Sequence, residues 1–223
     1  MKSKFAFTMI ELVFVIVVLG ILASLAMGRM ERDAKQEASS SILAHIRLAQ
    51  QLALNDNKHR SDNNTMWQTA YWRFEYEKCD GAGVDRYIYR VGSDRDLSGG
   101  INKIESAIDP INGKYIWADG ACNDFDDLSS DESRDVYLYG RFGVENISHS
   151  SASGSCTSQN IGFDFLGRPH TGLKSYKTDN SSNFQKLMTK DCILTFTMSD
   201  GDTFTIRVEA ETGHAYIEGQ ENS

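Results

Sequence analysis

Proline is scarce in this chain, and acidic residues outnumber basic ones. The only prolines are Pro110 and Pro169, so proline does not interrupt the chain before residue 110. The 223 residues include 23 lysines and arginines against 31 aspartates and glutamates, which gives a formal net charge of −8. This acidic balance argues against nucleic acid as a partner and against electrostatic attachment to anionic lipid.

The motifs of common catalytic sites are also missing. The five histidines are scattered, and the sequence has no His-x-x-x-His pair, no Gly-x-Ser-x-Gly and no phosphate-binding glycine loop. His170 follows Arg168 and Pro169 and is interpreted as a turn residue rather than a general base. The sequence therefore predicts a protein that is not an enzyme.

Cysteine is limited to four residues, Cys79, Cys122, Cys156 and Cys192, none of them at Cys-x-x-Cys spacing. An even number of cysteines in an oxidising compartment favours two disulfides over a zinc site. Three pairings are open. We favour Cys79–Cys122 with Cys156–Cys192, because each would close a long polar insertion against a strand.

What the chain does have is an apolar run from Phe7 to Met27 with an acid, Glu11, inside it. The run is about 21 residues long, and as a helix it would extend roughly 32 Å, enough to cross a bilayer. A carboxylate at that depth is costly and is by default functional. Lys2 and Lys4 precede the run, on the side expected to stay in the cytoplasm.

The segment Phe5-Ala6-Phe7-Thr8-Met9-Ile10-Glu11 before an unbroken apolar helix resembles the prepilin signal of type IV pilins and type II secretion pseudopilins. The resemblance implies that a prepilin peptidase cuts between Ala6 and Phe7 and methylates the new N-terminus. It also implies that Glu11 pairs with the terminal amine of a neighbouring subunit in a filament. An ordinary secretory signal, with Ser24-Leu25-Ala26 as its cleavage site, and an uncleaved anchor are the alternatives. Neither explains Glu11.

The helical pattern continues past the apolar run. Neither Pro nor Gly occurs between Arg29 and His59, and apolar residues recur at three- and four-residue steps. They are Ile42, Leu43, Ile46, Ala49, Leu52 and Ala53. We predict one helix from Phe7 to about Asn57, with its second half packed on a sheet.

Strand patterns follow the helix. Alternation predicts strands at 71–77, 86–91, 136–144 and 161–165, then a hairpin of Cys192–Met198 and Thr203–Val208 and a short strand at 214–217. The intervals 92–113, 118–135 and 145–158 are predicted to be polar loops. The turn from Phe163 to Pro169 before this closing meander resembles the minor pseudopilins of the GspH/FimT type.

One polar loop matches the spacing of an EF-hand calcium loop. Asp94, Asp96 and Ser98 take positions 1, 3 and 5, Gly99 takes position 6 and Glu105 takes position 12. The flanking helices of an EF-hand are not predicted, so the loop is either an isolated calcium hairpin or a solvated turn. A second acidic group is interpreted as a soluble loop; it comprises Asp124, Asp126, Asp127, Asp131, Glu132 and Asp135.

Together these features predict an α+β fold, with a long N-terminal helix, transmembrane in its first half, packed on a C-terminal antiparallel β domain. The predicted parts are a leader (1–6), a transmembrane and assembly helix (7–28), its amphipathic continuation (29–58) and a periplasmic β domain (66–223). The resemblance implies a minor pseudopilin, single-pass in the bacterial inner membrane. Its partners would be other pilins or pseudopilins, the prepilin peptidase and an inner-membrane assembly platform. The alternatives are a minor pilin of a type IV pilus or DNA-uptake system, and a membrane-tethered calcium-binding module.

Overall fold

The computed structural model describes residues 8–58, 65–79, 86–119, 129–175 and 186–220, with the side chains of 23–33 left aside. The first element, α1, is an α-helix from Met9 to Leu54. Its N-cap residue is Thr8 in an extended conformation, and its C-cap is Asn55, whose N–H bonds back to the last turn. No residue of α1 is proline, so the main-chain ladder continues without a break.

The second half of α1 carries the apolar stripe that the sequence predicts. Residues at three- and four-residue steps are buried there: Ala38, Ile42, Ile46, Ala49 and Ala53. Helical periodicity places these side chains on one face, and that face packs on strands from both sheets of the domain. The core of the protein therefore lies around this stripe.

In the described part of the chain eight strands follow α1. They are β1 (Trp72–Lys78), β2 (Tyr87–Gly92), β3 (Val144–His149), β4 (Asn160–Phe163), β5 (Pro169–Thr171), β6 (Cys192–Met198), β7 (Thr203–Val208) and β8 (Ala215–Ile217). They form two four-stranded antiparallel sheets, the first in the order β2-β1-β4-β5 and the second in the order β3-β6-β7-β8. The hairpin β6–β7 has the predicted bounds, and Gly201 turns it with a positive φ of 89°.

The predicted strand at 136–144 is wrong. A short helix, α2 (Leu138–Phe142), occupies most of this position. β3 begins only at Val144, the last residue of the predicted strand, and continues into the interval predicted to be a loop, 145–158. Gly143 ends α2 in the left-handed conformation, with a φ of 76°, and its N–H reaches the carbonyl of Tyr139 at 2.8 Å. The apolar residues around α2 fit a strand and a single helical turn with buried ends equally well. Periodicity alone therefore does not determine the secondary structure of a segment this short.

The predicted fold class is contradicted, because it included a helix that spans a membrane. Within the described residues, no helix combines the length and the apolar character that crossing a bilayer requires. The predicted localisation, single-pass in the inner membrane with a periplasmic C-terminal domain, is contradicted by the same finding. The β region is antiparallel, as predicted, and divides into two sheets.

Candidate functional site

The N-terminus of α1 holds the residues predicted for processing and assembly. Ala6 and Phe7 lie outside the described residues. Glu11 is exposed, and its Oε2 lies 3.5 Å from the main-chain nitrogen and 3.4 Å from the hydroxyl of Thr8. A carboxylate at this position caps the free N–H groups of the first turn and interacts favourably with the positive end of the helix dipole.

The apolar segment of α1, which we define as Met9–Leu22, is the largest exposed apolar feature of the described chain. Apart from Glu11 and Gly20, every residue in it is apolar, and all of them are exposed. The exposed positions are consecutive, so they surround the helix rather than forming one stripe. Soluble monomers rarely expose contiguous apolar surface of this extent, and such surface marks an interaction site.

The predicted calcium ligands come together in the loop that follows β2. One carboxylate oxygen from each of Asp94, Asp96 and Glu105 lies within 4.8 Å of the others. Asp94 and Glu105 are buried, whereas Asp96 is exposed. Ser98 approaches through its main-chain nitrogen, which donates to Asp94 Oδ1 and to Asp96 Oδ1, each at 2.9 Å. Three of the four predicted ligands therefore converge through their side chains.

The same carboxylates accept hydrogen bonds from the loop itself. Asp94 Oδ2 accepts from the Gly99 nitrogen at 2.9 Å, and Glu105 Oε1 accepts from the nitrogens of Arg95 and Asp96 at 2.7 and 3.0 Å. Burial raises the pKa of Asp94, although the Gly99 hydrogen bond acts in the opposite direction. These donors satisfy the carboxylates in the way that a self-contained polar turn does.

Calcium binding therefore stays a prediction beside the solvated-turn interpretation. Isothermal titration of calcium chloride into the wild type and the Asp94→Asn variant distinguishes them. A one-to-one binding heat that disappears in the variant would support the calcium hairpin. Equal heats in both proteins, or no heat in either, would support the polar turn.

The second acidic group divides between described and undescribed positions. Asp124, Asp126 and Asp127 lie outside the described residues. The other three carboxylates form ion pairs, with Lys103 contacting Asp131 at 2.6 Å and Glu132 at 2.9 Å, and Arg141 contacting Asp135 at 3.1 Å. Asp131, Glu132 and Asp135 therefore connect neighbouring segments through ion pairs and do not form a solvated loop.

The predicted Cys156–Cys192 disulfide is present and joins the 150–158 loop to the first residue of β6. Cys79 is also disulfide-bonded, and its predicted partner, Cys122, lies outside the described residues. The bonded pair ties an exposed polar segment to a central strand of the second sheet, as the sequence argument expects.

The first sheet carries an ionic cluster that the sequence pattern does not predict. Arg73 is completely buried; its Nε donates to Glu75 Oε2 at 3.1 Å and its Nη1 donates to the Thr69 carbonyl at 2.8 Å. Glu75 is buried too, and it contacts Lys174 at 2.6 Å and Arg90 at 3.6 Å. In the sequence these residues alternate with aromatic ones, a pattern typical of a strand with one solvated face. No signal in that pattern indicates that insertions cover this face.

A second buried polar contact connects α1 to the hairpin at 108–115, whose ends pair at Ile108 and Tyr115. His45 of α1 places Nδ1 2.7 Å from the Tyr89 hydroxyl and Nε2 3.7 Å from Asp109 Oδ2. All three side chains are buried. Burial of the Tyr89 hydroxyl raises its pKa well above the ordinary value, so this phenol stays protonated and able to donate. The contact fixes the hairpin against the helix.

Lowering the pH should weaken this contact through Asp109. The interaction with His45 is the main reason that the pKa of Asp109 is lowered. A carboxyl with a depressed folded-state pKa contributes stability that is complete above its unfolded pKa, about 3.9, and is lost as the pH falls through the folded value. We therefore expect Asp109→Asn to reduce the loss of Tm between about pH 5 and about pH 2. Asp200→Asn, in the exposed β6–β7 turn, serves as the control. Thermal unfolding followed by circular dichroism gives the Tm of each variant at each pH. An equal loss of Tm at acid pH in wild type and Asp109→Asn would contradict the expectation.

His170 is a residue of β5 rather than a turn residue, so that interpretation is corrected. It is fully buried, and its Nε2 lies 3.2 Å from Asp164 Oδ2. Burial alone would raise the pKa of Asp164, but hydrogen bonds from His170 and Arg168 outweigh it and lower the pKa. Pro169 begins β5 directly after the turn, and the strand therefore includes His170, which the turn motif alone does not indicate.

Comparisons of the chain with protein-family models, with curated proteins and with solved structures find no significant match. The resemblance to pilin-like proteins accordingly stays an interpretation of the sequence.

Proposed function

We propose that the protein is a minor pseudopilin, a structural subunit of the pilus-like filament of a type II secretion system, which assembles through the apolar segment of α1. The observation that carries this proposal is the exposure of apolar side chains on every side of that segment. A single partner helix would cover only one stripe of it. A bundle in which several subunits surround the segment accounts for all of its faces.

In such a bundle Glu11 would fix the axial position of each subunit relative to its neighbour. Cleavage between Ala6 and Phe7 by a prepilin peptidase leaves an ammonium group at Phe7, close in sequence to the acid. Two opposite charges inside an apolar bundle favour the packing that joins them, because each is costly alone. Among the described residues the carboxylate of Glu11 contacts only Thr8, at 3.4 and 3.5 Å, and it is exposed. Pairing with the terminal amine of an adjacent subunit would set the axial stagger.

Two basic residues of the described chain argue against the DNA-uptake alternative. A DNA-binding pilin needs free basic residues on its distal surface. Arg168 contacts Asp164 at 2.7 Å and Lys174 contacts Glu75 at 2.6 Å, so both of these basic residues are engaged in ion pairs. The other partners implied by the proposal are related pilin-like subunits and the platform that assembles them.

A charge placed in the apolar segment should abolish assembly. Leu19 is 58 % exposed, and Leu166, in the turn between β4 and β5, is 57 % exposed. Leu19→Asp buries a carboxylate in the bundle at a cost of several kcal/mol, which corresponds to a loss of more than about 100-fold in association. Cross-linking of the full-length protein followed by gel electrophoresis measures the yield of assembled oligomer. Leu166→Asp is the matched control, and equal cross-linked yields for the two variants would sink the proposal.

Neutralising Glu11 should impair assembly without affecting processing. Glu11→Gln keeps the shape and helix propensity of the side chain but removes the charge that pairs with the amine. We expect intact-mass spectrometry to find both wild type and variant beginning at methylated Phe7, while the yield of cross-linked oligomer falls about tenfold or more. A variant that assembles as well as wild type would exclude the pairing, and a mature protein that retains its first six residues would exclude the processing.

A further inference from the structure

A small polar pocket on the first sheet brings a carboxylate, an amide and an amine together. Its volume is about 210 Å³, and its lining includes Glu75 of β1, Asn160 of β4 and Lys174, which follows β5. Glu75 and Asn160 are 1 and 4 % exposed, whereas the Lys174 side chain is 42 % exposed. A proton acceptor, an acyl carbon and a nitrogen nucleophile are the groups that acyl transfer requires.

The strand register holds Glu75 and Asn160 side by side. Their Cα atoms are direct partners in the antiparallel pairing of β1 with β4, and side chains at such positions share a face, with Cβ atoms about 5 Å apart. Lys174 Nζ reaches the same face and lies 2.6 Å from Glu75 Oε1. The main-chain nitrogen of Leu173, the residue before Lys174, donates to Asn160 Oδ1 at 3.0 Å. The Asn160 amide is therefore fixed beside both the carboxylate and the lysine segment.

The charges around Glu75 favour loss of the positive charge on Lys174. Arg73 contacts Glu75 Oε2 at 3.1 Å, and Arg90 contacts Oε1 at 3.6 Å. Glu77 is a second acid in this cluster, 2.7 Å from Arg90. The two guanidinium groups already match the two acids in number, so Lys174 adds a further positive charge. A lysine beside other cationic groups is activated as a nucleophile.

We propose that Lys174 and Asn160 form an intramolecular isopeptide bond, with Glu75 as the residue that transfers protons. Glu75 takes a proton from the ammonium, and Nζ attacks Cγ of Asn160, whose oxygen gains negative charge beside the Leu173 N–H. The Cγ–Nδ2 bond then breaks, and Glu75 carries the proton that Nζ loses to the departing ammonia. One ammonium and one primary amide become one secondary amide and one free ammonium ion, and no oxidant or other reactant is needed.

The bond would tie β4 to the segment that follows β5. Groups held in one pocket react at a high effective concentration, which makes an otherwise slow amide exchange accessible. The covalent link would close the chain around β5 and restrict the unfolded state, as a disulfide does. The inference does not depend on whether the protein assembles into a filament.

Intact-mass spectrometry of the full-length protein tests the bond. Its formation releases ammonia, so we expect a mass about 17 Da below that of a chain with the same N-terminus and disulfides. Lys174→Arg keeps a cation beside Glu75 but provides no amine, because the guanidinium stays protonated. We expect that variant, checked for folding by circular dichroism, to have the full mass. Lys35→Arg, in an exposed ion pair with Asp202 at 3.1 Å, is the control and should keep the loss. A wild-type protein at full mass would overturn the proposal.

Peptide mapping locates the bond and separates it from a cyclic imide. Trypsin does not cut after an acylated lysine, so after reduction we expect Asn160 and Lys174 in one peptide, 142–177, that lacks one ammonia. An imide at Asn160 would lose ammonia as well, but it would leave Lys174 open to trypsin and persist in Lys174→Arg. That result, or a loss of ammonia at another position, would contradict the isopeptide bond. Glu75→Gln, which cannot accept the proton, should lower the cross-linked fraction at least tenfold.

Discussion

Arg73→Met should lower the free energy of unfolding by about 3 kcal/mol. Arg73 is completely buried and donates to the Thr69 carbonyl at 2.8 Å and to Glu75 at 3.1 Å. Methionine fills much of the volume but donates nothing, so a buried carbonyl loses its partner and Glu75 loses one of its compensating charges. Guanidinium unfolding of the full-length protein, followed by circular dichroism, measures the change.

Two further variants separate charge from volume. Arg207→Met removes an arginine that also contacts two acids, Asp191 at 3.2 Å and Glu218 at 2.6 Å, but on the surface. We expect it to cost less than about 1 kcal/mol, because solvent screens the pairs. The double variant Arg73→Met/Glu75→Leu should recover part of the lost stability, since no buried acid is then left behind. If Arg73→Met were as mild as Arg207→Met, the cluster would not stabilise the sheet.

Removing the Cys156–Cys192 disulfide should cost about 4 kcal/mol, or roughly 10 °C in Tm. The bond closes a loop across 36 positions of sequence, and opening it restores conformational entropy to the unfolded chain. It also frees the 150–158 loop from the beginning of β6, where both cysteines are buried in the core. Thermal unfolding of Cys156→Ser/Cys192→Ser, without reductant, gives the measurement.

The disulfide variant needs a check on its remaining cysteines. Cys79 is disulfide-bonded, and a thiol assay on the folded variant should find no free thiol if that bond survives. Reductant added to the variant then reports the contribution of the second bond separately. A Tm within about 3 °C of wild type would show that core packing alone holds the loop in place.

Periodic patterns predicted most of the regular structure. The stripe from Ile42 to Ala53 identified the packed half of α1, and the alternation in Cys192–Met198 and Thr203–Val208 identified the β6–β7 hairpin. Both patterns are long enough for their period to be unambiguous. The segment around α2 was missed because five residues between two buried positions fit a helix and a strand equally well.

The candidate site was predicted less completely. Spacing alone indicated that Asp94, Asp96 and Glu105 converge, because the separation of ligands in a closed loop is a local property of the chain. Burial of Arg73 and the contact between His45 and Asp109 were not predicted. Each depends on which distant segment covers a given face, and a strand pattern reports only that its two faces differ.

The sequence by itself therefore determined the local structure. It determined a helix without proline, paired strands with a tight glycine turn, an apolar segment with one acid and a loop with regularly spaced carboxylates. Tertiary packing decided that the strands divide into two sheets and that insertions cover the charged face of β1. The physical reason is that hydrogen bonding and periodicity act over a few residues, whereas burial results from contacts between segments far apart in the chain.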